Sequence, residues 1–526
     1  LAHIHPCVLA LDLRGEAFEP SELEELLRAP ALSRLQELRI SSADLSPEGL
    51  AKLVRAPRLQ GLEILDLSES DLGDEGARVL ATSLELRGLR TLRLARNGIG
   101  PEGVAALASS PNLEALTSLD LSNNALEDSG IEALASSTHL KNLEDLELGY
   151  TGLALGGVEA LGSSPNLGRL RTLSLGGNRI GDEGLERLAA STHLGGLRSL
   201  ELHHNRLGDR GVRALAASTA LSNLEALSLS HNDLRAPGLL ALASSPHFAA
   251  LRSLDVSYND LGDEGVGALV AGSSKLGGLE RLSLRKTGLT ASGLDVVLAS
   301  TRAQSLRELN LRDNALGARG AEALASSPNL AGLRSLDLGG CGLGDAGVTA
   351  LAASKTLSGL RTLGLYRNDF GAKGIEAMAS SEGLRGLESL AASTNDIRPE
   401  GARALASSPV FADLHTLDLR DNFVQSAGAR ALASSPYLTG LKRLNLSDNR
   451  IESEGASAVA ASTNLRSLIH LELKKNGIDA RGALALAQSR NLGRLRSLDV
   501  RFNAFGPDGK QALEGSSALR RCIITY

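Results

Sequence analysis

The sequence predicts an α/β fold of the repeat type, a right-handed solenoid (horseshoe) of about 19 repeats of 27 residues, with a parallel β-sheet on its concave face and short α-helices on its convex face. Three observations predict it. First, one lattice carries Asn97, Asn124, Asn178, Asn205, Asn232, Asn259, Asn314, Asn368, Asn395, Asn422, Asn449, Asn476 and Asn503, and its remaining points carry Glu16, Ala43, Ser70, Thr151, Thr287 and Cys341. Second, every spacing is 27 except the 28 from Asn259 to Thr287, which places one inserted residue near Ala271 to Ser273. Third, the surroundings of each lattice point repeat. Leu stands five before it, an aliphatic residue three before it (thinning only at Ala392), an apolar residue two after it, and Gly six after it in all but the repeat with Glu22. Self-similarity at such a period is the signature of stacked coils.

Each element of a coil follows from these positions. Leu92-Arg93-Leu94 alternates inward and outward, as a short strand does. The chain then turns through Arg96 to Gly98, and Pro101, or Asp74, Asp182 and Asp263 in other coils, opens a helix. Val104, Leu107 and Ala108 supply its apolar face, and it stops before Pro111, which cannot continue a helix. Gly103 is a poor helix former, so its recurrence marks close approach between neighbouring coils. Strands lie about 4.8 Å apart and packed helices about 8 to 10 Å apart, so the stack bends into a horseshoe with the strands inside. A buried Asn both accepts and donates, so one per coil ties its turn to the next; Thr151, Thr287 and Cys341 can replace only part of that bonding.

Composition sets the limits. A chain of 526 residues ordinarily suggests three or four domains, but no linker or low-complexity tract interrupts the lattice, so residues 1–526 read as one solenoid with caps or truncation points at 1–15 and 519–526. The chain begins at Leu1, which leaves room for an upstream segment. Aromatics at 2%, no Trp and 57 Gly fit thin slabs of Leu and Ala rather than a core of large rings. A net charge of −6 argues against a nucleic-acid partner, and no apolar run of eighteen residues would cross a membrane. Cys7, Cys341 and Cys522 form no motif, which points to a reducing, cytoplasmic setting. No P-loop, GxSxG, HExxH, CxxC or dinucleotide fingerprint is present, so neither catalysis nor a cofactor is expected.

The pattern LxxLxLxxNxLGDEGxxALAxS, carried with small departures by Leu254 to Ser273, resembles the leucine-rich repeat family in its helical, ribonuclease-inhibitor-like subclass. The GxxALA helix is also similar to bacterial GALA-type repeats. The resemblance runs from about Leu9 to Ala518 and implies a curved scaffold that binds a macromolecule, usually protein, on its concave sheet and turn loops. The period of 27 is shorter than that of ribonuclease inhibitor, so inhibition of ribonuclease is not carried over. Two other readings stay open: a regulator that stimulates a small GTPase, and the sensing or recruiting arm of a larger enzyme or immune protein. A monomer or weak associate is expected.

The outward strand positions place the candidate site. Four before each lattice point stand Asp120, Glu147, Glu201 and Asp255 among other acids, whereas Arg14, Arg285, Arg312, Arg420, Lys474 and Arg501 stand two before. An acidic N-terminal wall thus gives way to a mixed one, and those four acids are candidate anchors for a protein with a basic patch. His204, His231 and Tyr258 fall in one column beside His203 and Glu201, while Tyr150, Tyr366 and Phe502 read as isolated outward aromatics. A solvated, self-compensated sheet face is the competing reading. The imidazoles suggest no closed metal site, and His3, His5 and Cys7 read as an edge strand.

Overall fold

The computed structural model describes residues 9–13, 26–27, 29, 32, 34–41, 45, 47–271 and 275–526. The expectations for His3, His5, Cys7, Arg14, Glu16, Glu22, Ala43 and the insertion at Gly272 and Ser273 lie outside the described residues. Two units divide the chain, residues 1–259 with 271–278, and 260–270 with 279–526.

One lattice repeat makes one coil. Around Asn97 it consists of the strand Thr91–Arg93, the helix Pro101–Ala108 and a tight turn at Pro111–Leu113. In the first unit ten described strands, from Ala10–Asp12 to Ser253–Asp255, pair in parallel with their sequence neighbours; Leu38, Leu65, Leu92 and Leu119 stand in one register row. In the second unit ten more run from Arg281–Ser283 to Ile523–Thr525, the last pairing with Ser497–Asp499. The C-terminal "LRRCIITY" segment therefore supplies one more strand of this sheet. Leu92, Leu94, Ile99, Val104 and Leu107 are all 0% exposed, so strand and helix fill one apolar slab. Each such Leu contributes about 2 kcal/mol by leaving water.

The asparagines work across coils as their chemistry requires. Asn124 Oδ1 accepts the N–H of Asn97 at 2.9 Å and of Ile99 at 3.0 Å, while Nδ2 donates to the carbonyls of Leu94 and Leu121, each at 2.9 Å. Thr151 Oγ1 donates to the Leu148 carbonyl at 2.9 Å and reaches Asn178 Oδ1 at 3.4 Å, and Cys341 Sγ donates to the Leu311 carbonyl at 3.2 Å and more weakly to that of Gly339 at 3.8 Å. Burial pushes the Cys341 thiol up to about 12. The structure adds a second ladder. Ser191 Oγ donates to the Gly162 carbonyl at 2.6 Å and Ser218 Oγ to the Ala189 carbonyl at 2.7 Å, and Ser191 Oγ in turn accepts from His193 N–H. A serine stands at this place in most coils, as the second Ser where the sequence reads "SSP", so this ladder closes the return side as the asparagines close the exit side.

First-turn aspartates act one coil further on than the dipole of their own helix suggests. Asp74 Oδ1 accepts from Gly100 N–H at 2.7 Å and Gly103 N–H at 2.9 Å, capping the next helix. A Cβ at Gly103 would lie 2.4 Å from Asp74 Oδ1 and 3.0 Å from Asp74 Cα, so glycine permits this approach. Ala392 brings no irregularity: it is buried, its N–H donates to the Asp418 carbonyl and its carbonyl accepts from Asn422 Nδ2.

Candidate functional site

Among the described residues, the one just before each lattice point adopts a left-handed backbone. In the first unit φ lies between 53° and 60° at Glu69, Arg96, Asn123, Tyr150, His204, His231 and Tyr258. Such a conformation costs a bulky residue roughly 1 kcal/mol more than it costs glycine. It turns each side chain off the end of its strand onto a ridge.

On that ridge the rings meet. His204 and His231 stack with centroids 3.9 Å apart and planes 15° apart, and His231 and Tyr258 stack at 3.7 Å and 17°. Coils that repeat at strand spacing put rings at one lattice position side by side, close enough to stack. Gly176 and Gly177 interrupt the ridge and form a notch. A Cβ on Gly177 would lie 2.3 Å from the Tyr150 ring, and one on Gly176 would lie 2.0 Å from the His203 ring. Tyr150 and His203 fill the notch with centroids 6.3 Å apart, and Tyr150 is 6.4 Å from His204. His203 meets His204 edge to face at 5.7 Å. Tyr150, expected to be isolated, is thus the fifth ring of one cluster. Burial, then the neighbouring His203, lowers the His204 pKa.

The acidic wall runs beside this cluster. Asp120, Glu147, Ser174, Glu201, Ser228 and Asp255 are successive register partners. They are not equivalent. Asp120 Oδ1 accepts from the N–H and hydroxyl of Ser122, and Asp255 Oδ1 accepts from Ser257 N–H, so both help shape their own strand exits. Glu147 and Glu201 flank Ser174, whose hydroxyl donates to Glu201 at 3.1 Å. Burial raises the Glu147 pKa, with Glu201, Asp120 and Asp145 adding repulsion and Ser174 opposing it. A cleft of about 600 Å³ is lined by Glu127, Tyr150, Gly177 and Arg179.

The second unit carries the mixed wall. Arg285, Arg312 and Arg367 gather on Asp313, and Tyr366 lies beneath Arg312 with the guanidinium carbon 4.5 Å from the ring centre. Tyr366, expected to be isolated, is therefore packed. Phe502 is 72% exposed, with Lys474 Nζ 5.0 Å from its ring centre. Among the described residues no three His, Cys, Asp or Glu converge as metal ligands, and no helix is long and apolar enough to cross a membrane.

A family model described as a leucine-rich repeat matches thirteen segments, residues 60–81, 87–108, 114–135, 170–189, 197–216, 220–243, 250–270, 302–325, 333–352, 412–433, 438–460, 464–487 and 495–513, together more than half of the chain. The chain belongs to the leucine-rich repeat family. Solved leucine-rich repeat structures are also similar to it. An internalin from Listeria monocytogenes aligns at 20% identity and a TM-score of 0.44, covering 71% of this chain and 94% of that one. TLR13, in its complex with ssRNA13, aligns at 21% identity and a TM-score of 0.41, covering 95% of this chain and 62% of that one. No curated protein matches the sequence. Leucine-rich repeat chains are typically non-enzymatic scaffolds for protein interaction.

Proposed function

We propose that the chain captures a protein partner through a basic segment of that partner, laid along Glu147 and Glu201 and against the five-ring cluster of the first unit. The observation that carries this reading is the cluster itself: two of the five tyrosines and three of the ten histidines gather within a few coils, four of these five residues at left-handed positions where a bulky side chain is disfavoured. Folding the slab needs none of these rings. Tyr and His edges beside carboxylates suit Lys and Arg side chains, which offer apolar stems and a cationic tip. Glu147 adds a carboxylate already crowded by like charge, which a cation would relieve. Asp120 and Asp255 flank these anchors and extend the field.

The test is fluorescence anisotropy of a short Arg/Lys-rich peptide titrated with the full chain. The paired substitutions Glu147→Gln and Glu201→Gln are expected to weaken binding about tenfold, and His231→Ala with Tyr258→Ala by a similar factor. Equal affinity of the wild type and both paired variants would refute the assignment.

A further inference from the structure

We propose that the cluster around Asp313 in the second unit is a docking point for an acidic peptide segment. It is independent of the site in the first unit. Three guanidinium groups share one carboxylate: Arg285 Nε donates to Asp313 Oδ2 at 2.9 Å, Arg312 Nε lies 3.2 Å from the same oxygen, and Arg367 approaches Oδ1 only to 3.7 Å. Arg312 Nε is buried without a hydrogen bond, so Asp313 does not satisfy the groups it gathers.

The arrangement is built rather than incidental. Gly339 and Gly340 form a notch like that of Gly176 and Gly177: a Cβ on Gly340 would lie 2.5 Å from Asp313 Oδ1, and one on Gly339 would lie 2.0 Å from the Tyr366 ring. Tyr366 fills the notch, donates its hydroxyl to Asp337 Oδ2 at 3.2 Å and supports the Arg312 guanidinium on its face. That fixes Arg312 in orientation before any partner arrives.

Charge then decides what fits. Three cations, Arg285, Arg312 and Arg367, gather around two carboxylates, Asp313 and Asp337, a surplus of one. The register partners of Asp337 are Asn310 and Gly364, followed by Ser283 and Ala391, which add no charge. The focus of the guanidiniums is already occupied by Asp313, so the surplus is spread around a rim several coils wide. A point dianion such as a phosphate has no centre to take, whereas an extended segment of single carboxylates matches both the spread and the planar forks of arginine.

The test is anisotropy of a labelled oligoglutamate peptide, with the same peptide carrying Gln as control, titrated with the full chain at low salt. The Glu peptide is expected to bind and the Gln peptide not. Arg367→Ala, at a side chain 62% exposed, should weaken binding about fivefold while leaving the melting curve in place. Asp313→Asn removes the internal competitor and should tighten binding about threefold, whereas a purely structural ion cluster would lose affinity or fold. No binding of the Glu peptide, unchanged binding by the Arg367 variant, or tighter binding of a phosphoserine peptide of otherwise neutral sequence would each overturn the proposal.

Discussion

Asn124 accepts two N–H groups of the preceding coil and donates to the carbonyls of Leu94 and Leu121, so its removal leaves several buried polar groups unmatched at once. Asn124→Ala is expected to destabilise by about 3 kcal/mol, measured by urea unfolding. The reverse change, Thr151→Asn, restores an acceptor toward the coil before it and is expected to stabilise by about 1 kcal/mol in the same experiment. This column was legible in the sequence because one residue type supplies both halves of the bonding. The ladder serine recurs as regularly, but at Ser110 the following Pro111 already accounts for the end of the helix, so nothing local signals that this hydroxyl donates to the Ala81 carbonyl of the coil before. Glu147 gives a residue-scale pH effect. Its folded pKa is raised, so the folded chain holds this proton more tightly than the unfolded chain. Stability from this group therefore falls as pH rises from the ordinary Glu range through the raised folded value, and the full penalty is present above it. Glu147→Gln should raise the melting temperature more at neutral pH than at acid pH, and a gain independent of pH would exclude this cause.

At the scale of an element, a helix here is finished by its neighbour. The cap of the helix Pro101–Ala108 comes from Asp74 on the helix Gly73–Thr82, so a local reading of propensities places the right residue but assigns it to the wrong helix. Asp74→Ala is expected to cost about 1 kcal/mol, and hydrogen exchange should rise at Gly100 and Gly103 more than within the helix that carries the substitution. The ridge was partly legible in the same way. His204, His231 and Tyr258 share one lattice position, so their column follows from the period alone. Tyr150 shares that position but is separated from His204 by Gly177, and Tyr366 stands one residue earlier in its own coil, so what brings each ring into a cluster is the glycine it lies over on the adjacent coil. A Cβ at Gly177 would displace the Tyr150 ring and meet a φ of 71°. Gly177→Ala should therefore cost about 1 to 2 kcal/mol. It should also weaken the basic peptide; retained affinity with a displaced Tyr150 would remove that ring from the site.

At the scale of the whole chain, each coil binds the next through the same set of bonds, and within a unit no coil depends on a distant one except through its neighbours. In the first unit Asn97, Asn124 and the Ser110 hydroxyl all reach one coil away, and no further. Stability in such a stack is a sum of coil terms and nearest-neighbour interface terms rather than one global quantity. A defect should therefore have a range. Asn124→Ala removes the bonds between the coils of Asn97 and Asn124, so protection against hydrogen exchange should fall most at Leu94, Asn97 and Ile99 and decline over the next coils on either side. The strand Ser253–Asp255 of the same unit, several coils away, is expected to keep the protection it has in the unsubstituted chain. Hydrogen exchange read peptide by peptide on the full chain measures this range directly. A uniform loss from Thr91–Arg93 to Ser253–Asp255 would mean that the unit unfolds as one cooperative body, and the nearest-neighbour account of its stability would then fail.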